Sequence, residues 1–255
     1  WYLDQPPAPL AHLTRLHAAD IAVPPEGAAP LRRLAAAAPR LEVLKLDSCN
    51  DPTIAAAAAE HPCLRELRVS GGQEEAWLRA TPRLPALVTL DMGVYPRLFE
   101  GEEGEGDTGA AARVRCVFGW LAHCKRLSHL VLTVRHKENM SVHDLLAAIG
   151  AVVGGQLRSL TLNYAQLPLT AEAAAGAIHT LVACYPHLEV LKLLECAVEA
   201  SAEKSLAQQL LRAVPALAPL SPALREVRVK ENAVKLQRHP DGGMAAATFV
   251  GSCFD

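Results

Sequence analysis

Residues 39–49 read Pro-Arg-Leu-Glu-Val-Leu-Lys-Leu-Asp-Ser-Cys. Its leucines at 44 and 46 alternate with Val43, Lys45 and Asp47, which is the pattern of a short β-strand with one buried face. Residues 186–196 read Pro-His-Leu-Glu-Val-Leu-Lys-Leu-Leu-Glu-Cys, which is nearly the same stretch again. A pattern that returns far along the same chain indicates a repeat architecture.

The leucine that opens each strand motif recurs along the whole chain. It stands at positions 13, 41, 64, 87, 127, 157, 188 and 224, so successive units are 28, 23, 23, 40, 30, 31 and 36 residues long. Each unit reads as a strand, a turn and a helix. One strand and one helix cannot bury their apolar faces alone, so we expect the units to stack with their strands in one parallel sheet and their helices along one side.

This stacking predicts two ladders of aliphatic side chains across the sheet. The first contains Leu44, Leu67, Leu90, Leu130, Leu160, Leu191 and Val227. The second contains Leu46, Val69, Met92, Leu132, Leu162, Leu193 and Val229. If the ladders form, the whole repeat region shares one hydrophobic core.

The units resemble the leucine-rich repeat superfamily, in its ribonuclease-inhibitor-like and cysteine-containing forms, as in F-box receptor proteins. The resemblance is carried by Leu41, Leu44, Leu46 and Cys49 in one unit, and by Leu188, Leu191, Leu193 and Cys196 in another. It covers residues 10 to about 230. It implies an α/β leucine-rich repeat solenoid, with a curved parallel sheet on the concave side and helices on the convex side.

We expect a single domain over 1–255, built from about eight irregular repeats within residues 10–230. Helices are predicted over 31–38, 51–60, 74–80, 110–121, 141–153, 170–182 and 201–214. Residues 99–109 hold acidic side chains between glycines and no basic residue, which predicts a solvated loop over Glu100–Asp107. Residues 231–255 show no clear period, and we expect an irregular carboxyl-terminal tail there.

Strand alternation places a set of polar side chains on the concave face of the sheet. Rigid repeat surfaces of this kind commonly bind extended protein partners. We therefore predict that a partner protein contacts Lys45, Asp47, Glu66, Arg68, Asp91, His129, Thr133, Asn163, Lys192, Arg228 and Lys230.

Composition and motifs argue against several other classes of function. The formal net charge is -2, whereas a nucleic-acid-binding domain carries a basic surface. No run approaches the ~18 apolar residues of a membrane span. The chain has no phosphate-binding glycine loop, no HExxH motif and no clustered Cys and His residues at zinc spacing, so we predict no cofactor, no metal site and no catalytic residues.

The seven cysteines have no close CxxC pairs, and we interpret them as reduced residues of an intracellular protein, most simply a cytoplasmic one. An organelle would require a targeting segment ahead of Trp1.

The leading hypothesis is therefore a non-catalytic protein-interaction module, either a receptor or a structural subunit of a larger assembly. Two alternatives follow from the resemblance. One is a regulator of an enzyme, of the GTPase-activating type. The other is an F-box substrate receptor of a ubiquitin ligase, which would need an F-box segment ahead of Trp1.

Overall fold

The computed structural model describes residues 10, 12–19, 37–47, 61–70, 84–94, 118–134, 142–164, 171–194, 212, 222–229, 232–238 and 244–250. Ten strands in these residues form a single open sheet. The order of the strands across the sheet is the same as their order along the chain. The first eight strands pair in parallel, and the last two pair antiparallel.

The strands are short, with four to seven residues each. They are β1 (Arg15–Ala19), β2 (Val43–Asp47), β3 (Glu66–Ser70), β4 (Thr89–Val94), β5 (His129–Val134), β6 (Ser159–Tyr164), β7 (Val190–Leu194), β8 (Glu226–Val229), β9 (Asn232–Arg238) and β10 (Met244–Val250). A strand of this length buries only two side chains on its apolar face, for example Leu44 and Leu46 in β2.

Both predicted ladders are confirmed by the strand registers. Leu44 pairs with Leu67 and Leu46 with Val69, and the same register continues strand by strand to Val227 and Val229. All of these side chains belong to one hydrophobic cluster. The amino-terminal strand β1 extends the ladders, because Leu16 pairs with Leu44.

A backbone pattern fixes this register between neighbouring units. The N–H groups of Glu42 and Val43 both donate to the carbonyl oxygen of Thr14, at 2.9 and 3.0 Å. The carbonyl oxygens of the corresponding residues in the next six units each accept two such bonds in turn; they are Glu42, Arg65, Val88, Ser128, Arg158 and Glu189. Each strand is therefore aligned on the preceding strand at its first residue, one position ahead of its first buried aliphatic side chain.

Helices are sparse among the described residues. They are α1 (Val142–Ile149), which continues as a π-helical segment (Gly150–Gly154), α2 (Ala171–Cys184), and a short 3-10 helix (Gly119–His123). Leu145, Leu146 and Ile149 of α1 are fully buried in the same cluster as the strand leucines, so the helices cover the apolar face of the sheet. Tyr185 fastens α2 to α1, because its buried hydroxyl donates to the carbonyl oxygen of Leu146 at 2.6 Å.

Two predicted helices are confirmed with shifted ends. The helix predicted over 141–153 is α1 with its π-helical continuation, and the helix predicted over 170–182 is α2. The described end of the helix predicted over 110–121 is a 3-10 helix that runs to His123. Of the other predicted helices, the structure describes residues 37, 38 and 212, of which 37 and 212 are helical; their remaining residues and the acidic loop over 99–109 lie outside the described residues.

The expectation of an irregular tail over 231–255 is wrong for its described part. β9 and β10 form an antiparallel hairpin on the last parallel strand, with Val234 paired to Val227 and Phe249 paired to Val234. The cause is that β9 still alternates, so Val234 and Leu236 are buried beside the end of the ladder while Lys235 and Gln237 are exposed. The hairpin thus covers the edge of the parallel sheet that β8 would otherwise expose.

The ladder predicts a large cost for removing one of its central leucines. Leu160 is fully buried between Leu130 and Leu191, so Leu160→Ala should lower the free energy of unfolding by about 2–5 kcal/mol. The neighbouring Thr161→Ala, on the opposite face, should change it by less than about 0.5 kcal/mol. Urea unfolding measures both values, and equal values for the two variants would contradict the ladder.

The π-helical segment predicts different effects for two adjacent glycines. A Cβ atom added at Gly154 would fall on the carbonyl oxygen of Cys184, whereas one added at Gly155 would meet nothing within 4 Å. Gly155 also has a helical φ of -67°, which alanine adopts freely. Gly154→Ala should therefore cost about 1–3 kcal/mol of stability, and Gly155→Ala should be neutral or slightly stabilising. Thermal unfolding of both variants tests this, and a harmless Gly154→Ala would refute the close helix packing.

Candidate functional site

The face of the sheet opposite the leucines, here called the polar face, carries three rows of side chains. The first row is Arg15, Val43, Glu66, Thr89, His129, Ser159, Val190, Glu226 and Lys235. The second is His17, Lys45, Arg68, Asp91, Val131, Thr161, Lys192, Arg228 and Ala233. The third is Asp47, Ser70, Thr133, Asn163 and Leu194. Side chains within a row lie on neighbouring strands, about 4.8 Å apart at the backbone.

Strands β2 to β4 carry a network of opposite charges on the polar face. Lys45 Nζ lies 2.9 Å from Glu66 Oε1. Arg68 Nε lies between two carboxylates, 3.7 Å from Asp47 Oδ1 and 3.5 Å from Asp91 Oδ2. Each charge in this part of the polar face therefore has an opposite charge beside it. We call these five residues the ionic cluster.

Asp47 also ties the edge strand β1 to the sheet. His17 Nε2 lies 2.7 Å from Asp47 Oδ2, and the Ser70 hydroxyl donates to Asp47 Oδ1 at 3.0 Å. The three residue types are those of a hydrolytic triad, but the connections differ. In a triad the histidine accepts the proton of the serine hydroxyl, whereas here the hydroxyl donates to the aspartate. The arrangement therefore links strands β1, β2 and β3 through Asp47, and the hydrogen-bond acceptor of the Ser70 hydroxyl is a carboxylate and not a histidine.

The two aspartates of the ionic cluster differ in their environment. The hydrogen bonds from His17 and Ser70 lower the pKa of Asp47, and the nearby Arg68 adds to this effect. Burial raises the pKa of Asp91, and the Arg68 guanidinium offsets only part of that shift. The charge of Asp47 therefore stabilises the folded state, whereas the charge of Asp91 carries a desolvation cost.

The middle of the polar face has almost no charge. On β5 and β6, the second and third rows present Val131, Thr133, Thr161 and Asn163, all of them half-buried. Val190 and Leu194 of β7 continue this surface on either side of Lys192. This central strip offers short hydroxyl, amide and aliphatic groups, which suit contact with another protein surface.

Basic residues return on β7 and β8. Lys192 and Arg228 are register partners in the second row. Arg228 Nη2 lies 3.0 Å from Glu226 Oε1, yet neither Glu226 Oε1 nor Arg228 Nε has a hydrogen-bond partner among the described residues. The pair is thus close in distance but poorly aligned.

The edge where β6 to β8 begin is also basic. Glu189 Oε1 lies 3.0 Å from Arg158 Nη1, and its other oxygen lies 3.9 Å from Arg225 Nε. Both arginines are largely exposed, so one carboxylate is shared between two solvated cations.

The structure places the predicted binding residues as the alternation required. All of them except Lys230, which lies outside the described residues, are half-buried or exposed on the polar face. Lys45, Asp47, Glu66, Arg68 and Asp91 are brought together in the ionic cluster, whereas His129, Thr133 and Asn163 lie in or beside the central strip. Their role in binding stays a prediction.

Three residues of this face were not among the predicted binding residues. His17 and Ser70 hold Asp47, and Lys235 stands beside Glu226 in the first row. The alternation of β1 around Leu16 could have placed His17 next to Lys45, and the alternation of β9 could have placed Lys235.

Three further features of the described residues concern cysteine reactivity, metal binding and the length of the helices. Burial raises the pKa of the Cys124 thiol to about 11, so this cysteine stays protonated at neutral pH and is a poor nucleophile. Within the described residues, no three His, Cys, Asp or Glu side chains are placed to hold one metal ion. None of the described helices is long and apolar enough to cross a membrane.

Comparison with known proteins found no matching protein-family model and no curated protein of similar sequence.

The different environments of the two aspartates predict opposite effects on stability. Because the folded-state pKa of Asp47 is below its ordinary value of 3.8, its stabilising contribution is present above that pH and is lost as the pH falls through the folded-state pKa. Asp47→Asn should therefore lower the melting temperature near neutral pH, and the difference from wild type should shrink in strong acid.

Asp91→Asn is the matched comparison for Asp47→Asn. The raised pKa of Asp91 means that its charge opposes folding near neutral pH, so this variant should melt at the same temperature as wild type or slightly higher. Calorimetry across the acid range measures both variants. A stabilising Asp47→Asn, or a destabilisation that does not change with pH, would contradict the assigned contacts.

Proposed function

We propose that the chain is a non-catalytic leucine-rich repeat module, with the curved solenoid form of that superfamily, and that it binds another protein through the polar face. It would serve as a receptor or as a structural subunit of a larger assembly.

The assignment to the superfamily rests on the regularity of the units. In the turn before a strand, the N–H of the opening leucine donates to the carbonyl oxygen three residues earlier, as in Leu41 to Ala38, Leu64 to His61 and Leu188 to Tyr185. The residue after that leucine then joins the shared-carbonyl pattern described above. Local geometry that recurs at most of the described strand starts, in units whose sequence length varies, is what a repeat protein requires.

The binding role rests on one observation, the uncovered polar face. Parallel sheets occur almost only with both faces covered, because their strands are held between helical layers. Here the described helices cover only the leucine face. The other face keeps half-buried aliphatic groups such as Val131, Val190 and Leu194 at its surface, and these gain stability when a partner removes them from water.

Site-specific photo-crosslinking tests the proposed function. A photoreactive amino acid is placed at Thr161 in the centre of the polar face, or at Ala183, which is exposed on α2. We expect the Thr161 probe to give a discrete adduct with one other protein in an extract of the native source, and the Ala183 probe to give none.

A second substitution makes this test specific. Val131→Arg, the register neighbour of Thr161, should abolish the Thr161 adduct without changing the melting temperature by more than a few degrees, because it adds bulk and charge to the contact surface and not to the core. The absence of an adduct at Thr161, or the same adduct from both probe positions, would contradict binding through the polar face.

A further inference from the structure

The polar face contains the same arrangement of two cations twice. Lys45 and Arg68 are register partners on β2 and β3, and Lys192 and Arg228 are register partners on β7 and β8. Both pairs lie in the second row. Like charges that face each other across neighbouring strands repel, so each pair needs negative charge nearby.

The first pair has its counter-charges within the protein. Lys45 contacts Glu66, and Arg68 contacts both Asp47 and Asp91, at the distances given above. On the outer sides of the pair, the second row continues with His17 and Asp91. Three carboxylates therefore surround two cations, and little charge is left to attract a ligand.

The second pair has a single counter-charge in the described structure, the carboxylate of Glu226. The second row continues beside it with Thr161 and Ala233, which are uncharged. Glu226 is the one carboxylate in contact with Arg228 among the described residues, and its alignment leaves Glu226 Oε1 and Arg228 Nε without a hydrogen bond. Lys192 forms no ion pair with any described residue.

The surroundings of the second pair add positive charge. Over β6 to β8 and the residue before each strand, the charged side chains are Arg158, Lys192, Arg225 and Arg228 against Glu189 and Glu226. Over β1 to β4 counted in the same way, they are Arg15, Lys45, Arg65 and Arg68 against Glu42, Asp47, Glu66 and Asp91. One half of the face is balanced and the other has an excess of cations, which we call the basic sector.

We propose that the basic sector binds an acidic, extended segment of a partner protein, whose carboxylates complete the charge pairs of Lys192 and Arg228. This inference rests on the proposed function and names the chemistry of the partner. The half-buried Val190 and Leu194 lie on the same strand as Lys192 and would pack against aliphatic parts of the segment. A guanidinium beside an ammonium group favours carboxylates, since both cations form charge-assisted hydrogen bonds with carboxylate oxygens.

Fluorescence anisotropy tests the proposal with defined probes. The probes are a short labelled peptide of alternating glutamate and threonine, the same peptide with glutamine for glutamate, and a single-stranded oligonucleotide of similar length. We expect the glutamate peptide to bind about tenfold more tightly than the glutamine peptide, with the difference decreasing as salt is added. We also expect it to bind more tightly than the oligonucleotide.

Charge reversal locates the site. Lys192→Glu and Arg228→Glu should each weaken binding of the glutamate peptide about tenfold, whereas Lys125→Glu, which reverses an exposed cation in the turn before β5, should change it less than about twofold. Equal binding of the glutamate and glutamine peptides, stronger binding of the oligonucleotide, or an equal loss in Lys125→Glu would overturn the proposal.

The photo-crosslinking experiment separates this inference from the proposed function. If the Thr161 adduct forms in wild type and is lost in Lys192→Glu but not in Lys125→Glu, both stand. If the adduct persists in Lys192→Glu and Arg228→Glu, the acidic partner segment is refuted while binding through the polar face stands. If no adduct forms in wild type, the proposed function is contradicted, and the inference that rests on it is contradicted with it.

Discussion

The burial of two aliphatic side chains per strand against the same two positions of the next strand is the constraint on which the structure depends. A strand such as β2 buries only Leu44 and Leu46, which is too little to offset the entropy of ordering its backbone. The apolar side chains gain a continuous core only because each neighbour repeats the pattern in register. The shared carbonyl at each strand start secures that register, since a shift by one residue would turn every leucine to the solvent face. The antiparallel hairpin then closes the carboxyl end of the sheet, where the repeat stops.

The same constraint leaves the opposite face free to vary, and its charges are not distributed evenly. The β2 to β4 end neutralises its own charges through Asp47, Glu66 and Asp91, and Asp47 also holds the edge strand β1 through His17. The side chains of the central strip are short, uncharged and partly aliphatic. The β6 to β8 end keeps an excess of cations at Lys192 and Arg228. The two ends of the polar face therefore differ in net charge. We infer that this difference would set the orientation of a bound partner segment.

Sequence alone could predict much of the fold, because apolar alternation is a local signal and its recurrence defines the stacking. It could not predict what depends on contacts between distant residues. The π-helical segment is one example, because Gly154 is required by the carbonyl oxygen of Cys184 on another element. The hairpin was missed for a different reason: the alternation of β9 and the turn signal at Pro240, Asp241 and Gly242 were readable, but Ala-rich β10 has little pattern of its own. In the site, alternation gave the orientation of the side chains, whereas the bond from His17 to Asp47 depends on the register of β1.

Distances between paired spin labels test whether one parallel sheet follows the order of the chain. One pair is placed where β2 and β7 begin, at Val43 and Val190, and the other where they end, at Asp47 and Leu194. We predict that both distances are about 24 Å, which is five strand spacings of about 4.8 Å, because parallel strands in register keep the same separation at both ends. A distance at either end that departs from about 24 Å by more than about 10 Å, as separate cores would give, would contradict it.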